Sequence, residues 1–531
     1  MAAEAVSADP NKVVLAPIPR DRVLLLATAL LGYLLINSSG QFVGSNLVDV
    51  QGGIGASADE ASWLNTAYVM ALFGGIVCSS ALIATFGLRR YLAASALLFG
   101  VAALACAAAP PLPLMIGLRA IQGFAAGGLG PIAFVAIFTT TAGPRLPFGL
   151  SLLALVLLLP ATFGPAMSGL LEDRLGWEGL FLIQAAIGAA VASASTLLMP
   201  ASPIGWAALR RDWTSLLLLS VALAATLLVL GQGTRRYWLD SALIAWTLAI
   251  GAGAWAGFLL ALWRSPMPII SFALLGRRGF IVPISLNLLF RIGLASTAFL
   301  IPQYLVVVQG YRPLELGNLF LWAAIPQLLA YPLTWWLLKQ VDGRWVIAAG
   351  LVLFGLSAIL ASDGTSLAAA DQLRVVMMLG GAGQVLFLVP NLIAGGGQLT
   401  APDGPTASLL FNATTIGGTN LGVALATELV TERHKFHLGA LAESAAAYGP
   451  KLDRIEALAQ GFASHVGDDS IAGARGIAIL AASLRREAWV LSFNDGFLLV
   501  GAVVIAAAAG LLLVPSQPPL GGSLTRDRRL P

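Results

Sequence analysis

The chain has 531 residues, of which 58% are hydrophobic and only 11% are charged, and its formal net charge is +4. A soluble globular domain contains about 25% charged residues, and even a large soluble domain leaves roughly a quarter of its chain surface in contact with water. The composition therefore excludes a water-soluble fold and indicates that lipid surrounds most of the chain.

Unbroken apolar runs identify the membrane-spanning segments as α-helices. In lipid every backbone N–H and C=O group must bond internally, so only helices and closed β-barrels can span the bilayer. Barrel strands alternate apolar and polar residues over about ten positions, whereas residues 23–36, which continue to 43, and residues 497–514 form long apolar runs. Runs of this length are typical of transmembrane helices, and the predicted fold class is an all-α membrane protein.

Apolar runs and the polar breaks between them predict fourteen transmembrane helices, numbered here in chain order. They span residues 23–46, 62–83, 91–109, 113–138, 147–170, 179–199, 214–231, 241–263, 280–305, 316–338, 345–361, 374–397, 406–430 and 490–514. Residues 1–22 are predicted to be a polar tail and not a signal peptide, because the first apolar run is too long and lacks a clear cleavage site.

The loop charges predict the orientation of these helices. If the N-terminus is cytoplasmic, 16 lysines and arginines fall in cytoplasmic segments and 5 fall in the short loops on the other side. Cytoplasmic loops carry the excess of Lys and Arg in membrane proteins. The sequence therefore predicts a multi-pass inner-membrane protein with both termini in the cytoplasm.

One polar segment, 431–489, separates predicted helices 13 and 14 and is periplasmic in this topology. Within it, residues 451–465 alternate apolar and charged side chains at helical spacing. Two interpretations remain open: surface amphipathic helices that cover the outer mouth, or a docking surface for a periplasmic adaptor protein.

Neither the cysteines nor the histidines indicate a metal or redox site. Cys78 and Cys106 lie in separate apolar runs, where small buried side chains are expected. The three histidines all lie in segment 431–489, and the pair His434 and His437 has no further ligand at a suitable spacing. We therefore predict no metal and no cofactor.

Two basic residues, Arg119 in helix 4 and Arg291 in helix 9, fall inside predicted transmembrane helices. A charged residue at that depth costs roughly 2.5–3.5 kcal/mol on insertion scales, and it points to a function by default. The alternative for each is an arginine that snorkels to the interface or pairs two helices.

Polar and small residues accompany these arginines at helical spacing. One face of helix 4 carries Arg119, Gln122, Gly123 and Gly127. We expect this face to border a water-filled cavity or a neighbouring helix. In helix 9, Asn287 precedes Arg291 by one turn.

Polar side chains recur on three more helices. They are Asn37, Gln41, Ser45 and Asp49 at four-residue steps from helix 1, Gln384 and Asn391 in helix 12, and Asn412 and Thr415 in helix 13. Polar groups of this kind can simply join helices to one another. Because they occur on several helices of one bundle, we interpret them as the border of a shared polar pathway.

Helix 5 combines two prolines with small residues. Its polar and small positions are Pro160, Gly164, Pro165, Ser168 and Gly169. The prolines remove helix hydrogen bonds and the small residues allow close helix approach, so a bent and tightly packed element is expected.

At these residues the sequence resembles the major facilitator superfamily, in its fourteen-helix drug:proton antiporter branch of the EmrB/QacA type. The resemblance extends from helix 1 to helix 14. Residues 118–123, Leu-Arg-Ala-Ile-Gln-Gly, are similar to the helix-4 motif with its proton-linked arginine, Arg119. Residues 164–169 are similar to the helix-5 antiporter motif, with Pro160 in place of its first glycine and Ser168 in place of its penultimate glycine.

Two parts of the chain match this family less well. The loop after helix 2 keeps Gly87, Arg89 and Arg90 of the gating motif but has Ala84 where an acid is usual, whereas the corresponding loop of the second half keeps an acid, Asp342, before Arg344. Helix 1 lacks the usual mid-helix aspartate and reads Asn-Ser-Ser at 37–39. We hypothesise that Asp49 pairs with Arg119 and that the pair couples transport to protons.

The resemblance implies two six-helix bundles, 23–200 and 266–514, with two helices inserted at 201–265. The tails are then 1–22 and 515–531. The substrate site is expected near the bilayer midplane between the bundles, lined by helices 1, 4, 9 and 12. The side chains predicted to bind substrate there are Asn37, Gln41, Gln122, Asn287, Arg291, Gln384, Asn391 and Asn412.

The sequence therefore predicts a secondary exporter that uses inward proton flow to expel small amphiphilic or toxic compounds. The alternatives are a dedicated exporter of an endogenous metabolite, such as a siderophore or fatty acid, and the inner-membrane component of a tripartite efflux complex. A membrane enzyme is not expected, because the histidines lie in one loop and no nucleophile–base pair is visible. The predicted partners are a small-molecule substrate, protons and the lipid bilayer, with no nucleic acid.

Overall fold

The structure is a computed structural model and describes residues 19–141, 143–200, 203–206, 213–265, 269–294, 296–397, 399–400, 403–447, 469–513 and 516. Nearly all of these residues are helical, and no β-strand occurs among them. The predicted fold class, an all-α membrane protein, is confirmed.

The described residues form fourteen helical spans, α1 to α14, in the predicted order. They are α1 Arg20–Ser45, α2 Ala58–Phe86, α3 Leu88–Ala107, α4 Leu112–Thr140, α5 146–175, α6 177–198, α7 Trp213–Gln232, α8 Ala242–Arg264, α9 Arg278–Gln309, α10 Pro313–Gln340, α11 Gly343–Ala361, α12 Ala370–Gly396, α13 404–447 and α14 Asp469–Ala508. Each predicted span overlaps one of these helices. We call the end of the bundle at which α1 begins the amino-terminal face, and the other end the opposite face.

Spans α5 and α6 form one 53-residue helical segment, Leu146–Leu198, that is interrupted at Gly176. Gly176 has φ 69° and ψ 176°, a conformation outside the helical region. Glycine adopts positive φ without steric strain, so this residue reverses the chain between two spans without a longer loop.

The first helix ends earlier than the polar stripe in its sequence suggests. Helix α1 stops at Ser45, and a short helix, Leu47–Ile54, follows and carries Asp49. The break lies at Asn46, whose side-chain amide donates to the carbonyl oxygen of Phe42 at 3.1 Å and also bonds to the hydroxyl of Ser168. Asp49 therefore lies on a separate helix, and the expectation that it continues the face of helix 1 is wrong.

The predicted polar segment 431–489 is helical in its described parts. Helix α13 continues to residue 447, and α14 begins at Asp469. Polar side chains bond the extension of α13 to α14: Arg433 of α13 donates to Asp495 of α14 at 2.6 Å, and His437 contacts the same carboxylate oxygen at 2.7 Å. The stretch 451–465, expected to form a surface helix, lies outside the described residues.

Glycines bring helix backbones into direct contact in the first half of the chain. A side-chain carbon on Gly123 of α4 would lie 2.0 Å from the carbonyl oxygen of Tyr68 in α2, where there is no room for one. The glycines that make such contacts are Gly123 and Gly127 between α2 and α4, Gly100 and Gly188 between α3 and α6, and Gly164 between α1 and α5.

The second half repeats these three contacts at the corresponding helices. Its glycines are Gly381 between α10 and α12, Gly355 and Gly501 between α11 and α14, and Gly418 and Gly422 between α9 and α13. Each pair lies eight helices after its counterpart, as parallel internal repeats separated by two inserted helices require. The recurrence fits two repeated halves, and the division into bundles 23–200 and 266–514 stays a prediction.

The two inserted helices contact both halves at the opposite face. In α7, Gln232 donates to the hydroxyls of Ser62 and Thr66 of α2 at 3.0 and 2.8 Å. In the turn between α7 and α8, Thr234 and Trp238 donate to one carboxylate oxygen of Glu428 in α13, at 2.7 and 3.1 Å. The inserted hairpin therefore bridges α2 of the first half and α13 of the second.

We expect Gly188→Ala to destabilise the protein. The added carbon would lie 2.6 Å from the carbonyl oxygen of Ala96 and 2.7 Å from Cα of Gly100, and forcing volume into such a contact costs about 1–3 kcal/mol. Gly253→Ala in α8 is the matched control, because nothing lies within 4 Å of its added carbon. Thermal unfolding followed by tryptophan fluorescence measures both, and equal midpoints for the two variants would contradict the packing argument.

Candidate functional site

Arg119 lies fully buried in α4 and is held by groups of two helices. Its Nε donates to the carbonyl oxygen of Leu64 in α2 at 3.4 Å, and its Nη1 donates to Oε1 of Gln122 in its own helix. The guanidinium carbon lies 4.2 Å from the centre of the Tyr68 ring. A desolvated cation over an aromatic face gains about 2 kcal/mol, so the ring partly replaces the hydration that the guanidinium loses.

A second buried amide extends this cluster to a third helix. Nε2 of Gln122 donates to Oε1 of Gln184 in α6 at 2.6 Å, and both side chains are fully buried. The face of α4 that carries Arg119 thus contacts neighbouring helices, which was one of the two environments expected for it. The other predicted residues of that face, Gly123 and Gly127, contact the backbone of α2.

The structure does not bring Asp49 to Arg119. No carboxylate of a described residue lies within ion-pair distance of Arg119. Oδ2 of Asp49 is buried and has no hydrogen-bond partner among the described residues. The same is true of Nη2 of Arg119. The predicted pair is therefore absent from this conformation, and its role in coupling stays a prediction.

Arg291 of α9 is also buried, with 4% of its surface exposed, but its environment differs. Its Nε and Nη2 have no hydrogen-bond partner in the described part of the chain. The phenol of Tyr33 in α1 is close enough to interact with it electrostatically, so Arg291 lies where a helix of the first half meets a helix of the second. Gly418 of α13 packs closely against its Cβ.

Two tyrosines connect the arginines across the bundle. Tyr68 lies under Arg119, Tyr33 lies near Arg291, and the two phenols are close enough to interact electrostatically. The hydroxyl of Tyr68 also lies at Gly40 of α1, 2.6 Å from where a Cβ of that glycine would be. Arg119, Tyr68, Tyr33 and Arg291 therefore form one buried series that passes through α4, α2, α1 and α9.

The remaining amides of α1 and α9 are placed beside this series. Nδ2 of Asn287 donates to the hydroxyls of Thr414 and Thr415 in α13, both at 3.0 Å, and its Oδ1 is buried without a partner among the described residues. Asn37 donates to the carbonyl oxygen of Tyr33 one turn earlier. Gln41 packs against Gly164 of α5 and is exposed.

The predicted antiporter segment of α5 lies between the two halves. Its Gly164 and Ser168 contact α1, and Ser168 donates to the carbonyl oxygen of Phe42 at 3.1 Å. On its other side, Gly317 of α10 lies against the backbone of Pro165 and Ala166. Pro160 and Gly169 are buried in the same helix.

Side-chain hydrogen bonds join α5 to the second half in the interior of the bundle. Thr162 donates to Oε1 of Gln327 in α10 at 3.1 Å, and Gln327 donates to Oε1 of Gln384 in α12 at 3.0 Å. Nearer the amino-terminal face, the hydroxyls of Ser151 and Tyr331 bond at 2.9 Å. Gln384, predicted to bind substrate, is thus engaged with other protein groups in this conformation.

A small cavity of about 20 Å³ lies between the halves toward the amino-terminal face, with room for about one water molecule. Among its lining residues is Asn391, whose Nδ2 donates to the carbonyl oxygen of Pro283 and whose Oδ1 has no described partner. Phe134 of α4 and Phe411 of α13 meet there with ring centres 5.1 Å apart. Asn412 lies against Gly130 and donates to Ser408 at 2.8 Å.

The predicted gating residues lie at the amino-terminal face. Gly87 ends α2 with φ 79°, and Arg89 and Arg90 lie in the first turn of α3. In the second half, Asp342 caps α11 and pairs with Arg344 at 3.2 Å. Ser516 also donates to Asp342, at 2.9 Å. The gating role of all five residues remains a prediction.

An ion pair that the sequence did not suggest lies at the same face. Nη1 of Arg277, before α9, donates to Asp403, before α13, at 3.0 Å. The hydroxyl and the backbone N–H of Thr400 also donate to this carboxylate and, with Arg277, hold the pKa of Asp403 below its ordinary value.

Sequence reasoning missed four buried residues of the site: Tyr33, Tyr68, Gln184 and Gln327. Each lies in an apolar run without a charged neighbour, so its helix gave no local signal. A usable signal exists only for the glutamines, because an amide deep in an apolar run needs a partner.

Comparison with known proteins supports the fold and the family. Residues 29–262 match the sequence profile of the Major Facilitator Superfamily. The colistin resistance protein EmrB of Acinetobacter baumannii is 26% identical over 325 residues, which are 61% of this chain and 63% of that protein, so this match spans less than two thirds of the relative. A multidrug resistance protein B homolog of Mycobacterium tuberculosis is 27% identical over 393 residues, 71% of this chain and 70% of that protein.

Among solved structures, a POT family transporter in complex with 5-aminolevulinic acid has the same fold. The TM-score is 0.60, with 14% sequence identity, and the match covers 96% of this chain and 97% of that chain. At this identity the likeness concerns the fold alone.

We expect Tyr68→Leu and Tyr68→Phe to differ in stability. Phenylalanine keeps the ring face 4.2 Å from the Arg119 guanidinium, whereas leucine removes it and forfeits about 2 kcal/mol of a desolvated cation–π contact. Thermal unfolding of both variants beside the parent protein measures the difference. Equal losses in both variants would show that the hydroxyl, and not the ring face, stabilises this site.

Proposed function

We propose that this chain, a member of the major facilitator superfamily, is a proton-coupled exporter of small amphiphilic or toxic compounds. The two related proteins named above are a colistin resistance protein and a multidrug resistance protein homolog. Their names support export of harmful compounds over uptake of nutrients.

The observation that carries this proposal is the pair of arginines buried within membrane-length helices, Arg119 in α4 and Arg291 in α9. Neither forms an ion pair with a carboxylate of the described residues. Lipid-facing arginines are costly, and intramembrane charges mark substrate or proton pathways. The arginines lie on α4 and α9, two of the helices that the family resemblance assigns to the central pathway.

We further propose the predicted orientation, with the amino-terminal face in the cytoplasm and the protein in the inner membrane. The excess of Lys and Arg in the loops of that face supports it. In this orientation the contact between Phe134 and Phe411 lies toward the cytoplasmic side. The glycine contacts within each half support two bundles, 23–200 and 266–514, that move relative to each other.

The energetics permit such an exporter to work with one proton. A proton entering across 100 mV releases about 2.3 kcal/mol from the electrical term alone. Each 1.4 kcal/mol corresponds to a tenfold concentration ratio, so one proton sustains a substrate concentration ratio of about 50 across the membrane.

A periplasmic adaptor is a further proposed partner. The extensions of α13 and α14 carry exposed apolar side chains beyond the predicted membrane spans, and Phe436 is 59% exposed. Crosslinking from position 436 in intact cells would test this assignment, and recovery of uncrosslinked protein alone would argue against it.

Purified protein in liposomes with an imposed pH gradient tests the exporter proposal. We expect gradient-driven movement of amphiphilic dyes from a panel of anionic, neutral and cationic members. Arg119→Ala should lower the rate by about tenfold or more, because about 1.4 kcal/mol lost at the essential step has that effect. Arg374→Ala is the control, since this arginine is half-exposed and pairs only with its helix neighbour Asp371 among the described carboxylates. Dye movement that ignores the gradient would refute the proposal.

The Asp49–Arg119 hypothesis makes a separate prediction for Asp49→Asn. If this carboxyl carries the transported proton in another conformation, the variant should still bind dye and exchange it, but should lose the response to the pH gradient. The same liposomes measure both processes. Full proton coupling in Asp49→Asn would eliminate the hypothesis and leave the exporter proposal intact.

A further inference from the structure

The two buried arginines differ in how many of their hydrogen-bond donors have a partner. The guanidinium of Arg119 donates to a backbone carbonyl and to Gln122 and lies over an aromatic ring. The guanidinium of Arg291 has two N–H donors, at Nε and Nη2, without a partner in the described residues, although 96% of the residue is buried. An unpaired buried charge is strongly unfavourable, so the site of Arg291 is incomplete without another molecule.

The two free donors lie on the same edge of the guanidinium. Nε and Nη2 present parallel N–H groups, and this edge matches the two oxygens of a planar carboxylate in a bidentate pair. A ligand that satisfies this edge therefore needs two acceptors and one negative charge. A monocarboxylate fits this requirement better than a phosphate dianion, which would need further donors.

Two neutral polar groups lie near Arg291. The phenol of Tyr33 lies across the interface from α1, and the amide of Asn287 lies one turn before Arg291. The neighbouring contact between the halves is apolar, with Phe73 of α2 beside Gly417 of α13. The site therefore offers one charge, a few uncharged polar groups and an apolar surround, the chemistry that a carboxylate on an apolar body would match.

We propose that the substrate of this exporter is an amphiphilic monocarboxylate, and that Arg291 binds its carboxylate between α1 and α9 with Tyr33 as a second polar contact. This inference rests on the proposed function for the direction of transport, but the binding site stands on the geometry of Arg291 alone. It assigns different roles to the two arginines: Arg291 contacts the substrate, and Arg119 is held by the protein.

Equilibrium binding of radiolabelled dodecanoate to the purified full-length protein tests the proposal, with methyl dodecanoate as the uncharged competitor. We expect saturable binding, and competition by the ester weaker by about tenfold or more, the factor that corresponds to about 1.4 kcal/mol. Arg291→Lys should weaken binding by a similar factor, because a lysine keeps the charge but loses the two parallel donors. Arg291→Gln should weaken it further, and Tyr33→Phe by a few-fold.

Two controls keep these outcomes interpretable. Arg374→Gln removes one positive charge far from the site and should leave dodecanoate binding unchanged. Thermal unfolding midpoints show whether Arg291→Gln is folded, and Arg291→Lys tests the same contact with the charge retained if it is not.

Three results would overturn the inference: no saturable binding to the parent protein, unchanged binding in Arg291→Gln, or equal competition by acid and ester. Gradient-driven dye transport without dodecanoate binding would contradict the inference about the substrate but would still support the proposed function. Arg291-dependent binding without any gradient-driven transport would support the binding site but contradict the proposed function.

Discussion

The close approach of helix backbones at glycine is the contact on which the rest of the structure depends. Lipid tails are as apolar as leucine, so helices in a membrane associate through tight packing and hydrogen bonds, and small residues allow that packing. In α4, Gly123 and Gly127 bring the helix onto the carbonyl groups of α2. This contact places the Tyr68 ring over the guanidinium of Arg119 and allows Nε of Arg119 to reach the carbonyl of Leu64. The charge can be buried because the backbones are close.

The contacts within each half differ in kind from those between the halves. Within a half, glycines place backbone against backbone in the same three helix pairs, where a shift of an ångström would open a void or a clash. Between the halves, three contacts are made by side-chain ends: Phe134 on Phe411, Thr162 on Gln327, and Ser151 on Tyr331. Side-chain hydrogen bonds and ring contacts can be exchanged for others at small cost. This difference suits the proposed rocking of two rigid bundles against a replaceable interface. The contact of Gly317 with the predicted antiporter segment of α5 is an exception, because it places backbone against backbone.

The sequence could predict those features that depend on a single segment of the chain. The helix count came from apolar runs, and the buried face of α4 came from the spacing of Arg119, Gln122 and Gly123, because both are properties of one segment. The partners of those residues are tertiary and left no local mark, so Tyr68, Gln184 and Gln327 were missed. The extension of α13 to residue 447 was missed for another reason: polarity ended the predicted membrane span, but a helix continues into water when charged side chains such as Arg433 find a partner, here Asp495.

The charge balance of the bundle connects the missing acid of helix 1 to the unpaired Arg291. A cation exporter must move positive charge out against an interior-negative potential, which costs about 2.3 kcal/mol per charge at 100 mV, and a carboxylate in the pathway then serves both substrate and proton. In this sequence the middle of helix 1 reads Asn-Ser-Ser at 37–39 and offers a bound cation no carboxylate. A monoanion leaving the cell in the proposed orientation gains the same 2.3 kcal/mol from the potential. Export of an anion therefore needs less free energy from proton entry. An arginine without an acid beside it favours the binding of such an anion.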